Sequence, residues 1–266
     1  MNALDSAHPD QPLNKHEQVY PDLTEEGVEL AHTSAEKLLG TLNPETDALF
    51  FVSSDEARAI ETANVYREVA RTQRFEVIKP EHTRSDLATE VADGEIRVLR
   101  GLSMDVPNVL GMNVFSPPAQ LAGMSLDWSQ VPSDFRERWE RAHAIIKADD
   151  RGSWGANFHH HSAAVKEIFP EIKSTEDLYN TQFKNLLRLA EFAKTKAATS
   201  GMQKNLKVLA FGHESYMAQA LEAHFGDFQL KNCEAIGIEP ESDGTFVLTR
   251  SGVQEVVGPL KSTETV

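Results

Sequence analysis

Cysteine, basic residues and long apolar runs are all scarce in this 266-residue chain. The lone Cys233 excludes an internal disulfide and any zinc cage built on cysteines, and it fits a reducing compartment. Lys and Arg number 26 against 41 Asp and Glu, a formal charge of −15. That balance argues against a nucleic-acid groove or an anionic membrane surface, both of which favour clustered cations. It leaves room for an anionic small substrate, because a pocket can be locally positive on an acidic protein. No run is long and apolar enough to span a membrane, and Met1 to Asp22 lacks the hydrophobic segment of a signal peptide. A cytoplasmic protein is the expectation. Basic residues are also missing locally. No Arg precedes Arg58, no Arg-His or His-Gly pair occurs anywhere, and no apolar strand precedes Ala48.

What is present has the rhythm of an α/β domain. Met1 to Tyr20 reads as loop. Asp22-Leu23-Thr24-Glu25-Glu26 resembles a helix start, with a capping residue and acids in the first turn, and Val28, Ala31, Ala35, Leu38 and Leu39 follow at helical spacing. Residues 47–52 read as a strand, 55–72 as a helix and 75–78 as a strand. Residues 87–172 lose the βα rhythm and read as an irregular lid insertion with a helix near 134–148, since long irregular stretches in compact domains are usually functional. Ser174-Thr175-Glu176-Asp177 begins a long amphipathic helix to about Ala198. A strand over 206–211, a helix over 215–225 and a hairpin around Glu241-Ser242-Asp243-Gly244 complete the pattern. The expectation is one domain over 1–266, with the lid at about 87–172.

Two strand-to-helix junctions carry the chemistry. One runs Leu49-Phe50-Phe51-Val52-Ser53-Ser54 into a helix holding Arg58; the other runs Val208-Leu209-Ala210-Phe211-Gly212-His213-Glu214. Parallel α/β sheets bind ligands at such carboxyl strand ends. With these goes a third segment, Leu23-Thr24-Glu25-Glu26-Gly27-Val28-Glu29-Leu30-Ala31. The three, together with Arg58-Ala59-x-x-Thr62-Ala63, resemble in order and spacing the histidine phosphatase superfamily, the phosphoglycerate-mutase-like proteins. The likeness covers residues 22–72 and 174–226.

That resemblance implies a three-layer α/β/α fold on a mostly parallel sheet whose first strand is missing here. It implies a phosphomonoester phosphatase or phosphomutase working through a phosphohistidine intermediate, with a phosphorylated small molecule as substrate and no cofactor or metal. In that family an Arg-His-Gly motif supplies the nucleophile, arginines and a second histidine hold the phosphoryl oxygens, and an acid protonates the leaving oxygen. Arg58 matches a phosphate-binding arginine, and its planar fork suits two oxygens at once. His213 matches the second histidine, both catalytic and phosphate-binding. Ser54 caps the helix or adds a hydroxyl to the phosphate. The acid is Glu214 or Glu90. With no Arg-His-Gly motif, the expectation is an inactive chain, either shortened at its start or a phospho-ligand-binding pseudophosphatase. His159-His160-His161 reads as a polar loop of the lid rather than a metal site, and Trp128, Trp139 and Trp154 as packing residues.

Overall fold

A computed structural model describes residues 23–79, 94–102, 108–109, 112–113, 132–149 and 154–259. Its centre is β1, Asp47–Ser53, in which all seven residues are buried. Three strands pair with β1, all in parallel: β2 (Glu76–Val77) and β3 (Ile96–Val98) on one edge, and β6 (Asn205–Phe211) along the other. A strand with partners on both edges and helices on both faces has no solvent face, which is why Ala48-Leu49-Phe50-Phe51-Val52 is an unbroken apolar run. Two short strands, β4 (Asn108–Val109) and β5 (Met112–Asn113), form a separate antiparallel pair.

Alternate side chains of β1 feed two cores. Leu49 and Phe51 pack with α1 (Glu25–Leu39) and α2 (Ala57–Thr72) through Ala31, Ala35, Leu39, Ala63 and Val69. Phe50 and Val52 pack on the opposite face, against the helices α6 (Lys184–Thr199) and α7 (Ala218–Phe225). The result is the three-layer α/β/α arrangement expected from the sequence. The second core continues into an antiparallel meander, β7 (Ile236–Pro240), β8 (Phe246–Arg250) and β9 (Val253–Val257), which contributes Phe246, Leu248 and Val257.

Local chemistry explains several boundaries. The Thr24 hydroxyl accepts the Gly27 N–H at 3.0 Å and opens α1. Glu95, buried at the start of β3, receives Arg67 and Arg71 of α2 at 3.5 and 2.6 Å and so pins β3 to that helix. Ser174 and Asp177 form a reciprocal capping box at the start of α5 (Thr175–Leu178). The single long helix expected beyond it is in fact three pieces: α5, a π-helical turn over Tyr179–Phe183, and α6. The extra residue of the π turn brings Tyr179 and Phe183 into a stack with ring centroids 5.2 Å apart.

Two further expectations change. The stretch read as one insertion over 87–172 contains β3, which belongs to the main sheet. The histidine triplet lies on a helix, α4 (Trp154–Ile168), not on a loop. This helix pairs with α3 (Ser133–Ala148) around a small core of Ala142, Ile146, Val165 and Phe169.

β1 is the first strand among the described residues, and β6 pairs with β1 alone. The side chains of Leu206, Val208, Leu209 and Phe211 on β6 are only partly buried, unlike those of β1. Among the described residues no strand pairs with the second edge of β6.

Candidate functional site

β1 and β6 run in register from Asp47 beside Asn205 to Ser53 beside Phe211, so two distant segments end side by side. The Ser54 N–H extends the ladder by one bond, donating to the Phe211 carbonyl at 2.9 Å. Just beyond it the fully buried Ser54 hydroxyl and the His213 Nε2 lie 3.1 Å apart and hydrogen-bond. Arg58 follows on the first, exposed turn of α2. Its charge is close enough to act on His213. Burial first, and Arg58 second, push the imidazole down to about 3, so His213 is neutral at ordinary pH.

An arginine at the start of a surface helix commonly pairs with a nearby carboxylate, here Glu56 or Glu61. Among the described residues Arg58 forms no ion pair. The α2 arginines that pair with a carboxylate are Arg67 and Arg71, at the far end of the helix. A hydroxyl and a neutral imidazole thus meet at the carboxyl edge of the sheet, near enough to the exposed Arg58 to feel its charge, and beside the N-terminus of α2, whose peptide dipoles add partial positive charge. Such a corner favours a small oxyanion. On binding one, His213 would gain the opposite charge it now lacks and take up a proton.

Two residues that the sequence reading did not single out hold His213 in place. The Tyr216 hydroxyl bonds the His213 backbone and packs against Gly212, where any Cβ would sit 1.3 Å from its oxygen. Gly212 is therefore a matter of contact rather than of backbone freedom. A Gly-His followed three residues later by Tyr was the available signal. Glu214 follows directly, in a 3₁₀ turn over Glu214–Tyr216. Burial raises its proton affinity, the neighbouring Asp227 raises it further, and the Leu230 N–H and Arg250 work the other way. A carboxyl whose proton affinity is raised by burial has the chemistry of a proton donor. Glu90 lies outside the described residues.

The three histidines of α4 divide between different partners. His159 bonds the Thr175 hydroxyl through Nδ1 at 3.1 Å and Glu222 through Nε2 at 3.0 Å, fastening α4 to α5 and α7. His161 bonds Asp149 at 2.9 Å, and His160 lies 3.8 Å from the same carboxylate. Among the described residues no group of His, Cys, Asp and Glu is gathered as a metal would need. Nor, among them, is any helix long and apolar enough to cross a membrane.

The depressed histidines set a pH dependence. His213 takes a proton only near 3, and His143, buried against Trp139 and near Lys147, only near 4. An unfolded histidine titrates near ~6.5. Between these limits the unfolded chain binds more protons, so stability falls as pH drops from about 6.5 towards 3. Urea midpoints are expected to decline between pH 7 and 4.5, and to decline less in His213→Gln. Identical declines in the two proteins would contradict the neutral buried imidazole.

No family model matches the chain, and no curated protein matches it either.

Proposed function

We propose that the paired strand ends bind the phosphoryl group of a small phosphomonoester, in the manner of a histidine-phosphatase-type protein. The observation that carries this reading is the Ser54–His213 hydrogen bond formed under the charge of Arg58, at the carboxyl ends of two adjacent parallel strands. Arg58 supplies the fixed charge and the fork that two phosphoryl oxygens require. Ser54 donates its hydroxyl, and His213 donates once protonated by the proton that the anion draws in. In a completed site Glu214, whose proton affinity burial raises, would give a proton to the leaving oxygen.

Turnover through a phosphohistidine needs a second imidazole aimed at phosphorus. Among the described residues none stands beside Arg58 and His213. The edge of β6 with which no described strand pairs is where a strand bearing that group would fit. On this reading the chain binds the phosphate without hydrolysing it, and full phosphatase or phosphomutase activity belongs to a site completed along β6.

Isothermal titration calorimetry with inorganic phosphate and with vanadate tests this directly, alongside an assay of p-nitrophenyl phosphate hydrolysis. The expected result is saturable binding of both anions, equally saturable binding of p-nitrophenyl phosphate, and negligible turnover. Absence of binding would overturn the reading. Binding with efficient hydrolysis would keep the phosphatase and reject the missing nucleophile.

A further inference from the structure

A second concavity, of about 320 Å³, opens on the other core of the molecule, and none of Ser54, Arg58 and His213 lines it. Its size is at the lower end for small-molecule sites. Its apolar part is Leu187 of α6 and Val257 of β9, both buried, together with Pro259. Its polar side chains are Tyr179, Lys184 and His224, the last of these in the final turn of α7. Among the described residues no Asp or Glu lines it. On a chain of formal charge −15, a cleft with an ammonium, an imidazole and no carboxylate is a local exception.

The π turn over Tyr179–Phe183 builds this cleft. In an α-helix, residues five apart point about 140° away from each other. Here the Lys184 N–H reaches back to the Tyr179 carbonyl, five residues earlier, and the wider turn carries both side chains round to one cleft. The Tyr179 ring lies against the fully buried Phe183, with planes 15° from parallel, and so forms a fixed aromatic wall. The Lys184 Nζ donates to the Asn180 side-chain oxygen at 2.9 Å, which steadies the ammonium. An ammonium has three donors, so two remain for a ligand. Among the described residues neither the Tyr179 hydroxyl nor the His224 ring has a hydrogen-bond partner.

We propose that this cleft binds a small monocarboxylate with an apolar, ring-sized body. The carboxylate takes the Lys184 ammonium and the polar groups of His224 and Tyr179, and the body lies among Tyr179, Leu187 and Val257. Two features select this class over a phosphate. No guanidinium lines the cleft to grip a dianion, and the nearby end of α7 is its C-terminus, whose dipole opposes a second negative charge. The apolar wall is also surface that a bare inorganic anion leaves unused. The proposal goes beyond the phosphoryl reading and does not depend on it.

The test is a titration of the full chain with sodium benzoate at neutral pH, followed by ¹⁵N–¹H NMR. Saturable shifts are expected at Tyr179, Lys184, Leu187 and His224, with a dissociation constant on the order of 1 mM. Benzamide, the uncharged isostere, should bind about 10-fold more weakly. Lys184→Met keeps the stem and the helix preference but removes the charge, and should weaken benzoate by a similar factor, about 10-fold. Inorganic phosphate should leave these resonances in place. Absence of saturable shifts, or equal binding of benzamide, would overturn the proposal whether or not the variant folds. So would an unchanged benzoate affinity in folded Lys184→Met, or phosphate that moves the same resonances as far as benzoate does. Phosphate at Ser54 and His213 is read from different amides, so this site and the phosphoryl site fail separately.

Discussion

Arg58→Ala is expected to weaken inorganic phosphate binding by roughly 10- to 100-fold, the loss that follows from ~1.5–3 kcal/mol for hydrogen bonds to a charged group. The protein should remain folded, since Arg58 is exposed and forms no ion pair among the described residues. The same change removes the positive charge that helps depress His213, so its imidazole should titrate at higher pH than the value near 3. Arg58→Lys should recover only part of the affinity, because an ammonium cannot grip two oxygens in one plane. Calorimetry with phosphate measures all three proteins. An unchanged dissociation constant in Arg58→Ala would remove the guanidinium from the site.

The second large effect is expected at Gly212. A Cβ there would lie 1.3 Å from the Tyr216 hydroxyl oxygen and 2.6 Å from its ring carbon. Tyr216 is buried and has no room to retreat. Gly212→Ala must therefore displace the ring, the 3₁₀ turn or the end of β6, at about 1–3 kcal/mol for overpacking. Displacement also breaks the bond between the Tyr216 hydroxyl and the His213 backbone. Thermal melting should fall by several degrees and phosphate affinity should fall with it. Tyr216→Phe alone removes one buried hydrogen bond, at about 1 kcal/mol. In the Gly212→Ala background it should restore stability only in part, because the ring carbon is still too close. A Gly212→Ala protein that melts and binds like the parent would show that the turn is softer than these contacts require.

Much of the sheet could be read in advance because each piece carried its own local signal. Ala48 to Val52 is unbroken and apolar because β1 has neighbours on every side. Thr24, and Ser174 with Asp177, announce their helices by capping chemistry. The pairing that matters most, Ser53 beside Phe211, joins residues far apart in sequence, and no local signal encodes it.

What escaped reading was short, or set by distant partners. β3 is three residues long and owes its place to β1 and to the salt bridges of Glu95. The π turn is decided by side-chain packing rather than by propensity, since Tyr179–Phe183 is compatible with an ordinary helix. β9 follows a tight Ser251-Gly252 turn, with both residues at positive φ. That Ser-Gly pair, followed by Val253-Gln254-Glu255-Val256-Val257, was a hairpin signal left unused. In α4, Phe158, Val165 and Ile168 recur at helical spacing and, with Phe169 just beyond the helix, help to fill the small core between α3 and α4. The three adjacent histidines drew the eye to polarity and away from that period.

The central claim is that His213 is a neutral imidazole waiting beside Arg58 and Ser54 for an anion. Nuclear magnetic resonance of the His213 ring, titrated with pH in the absence and presence of saturating inorganic phosphate, tests it most directly. Without phosphate the ring should stay neutral from pH 8 down to well below 6.5, protonating near 3. With phosphate the midpoint should move up by several pH units, and Arg58→Ala should abolish the response. A His213 that titrates near 6.5 in the free protein, or one indifferent to phosphate, would contradict the account.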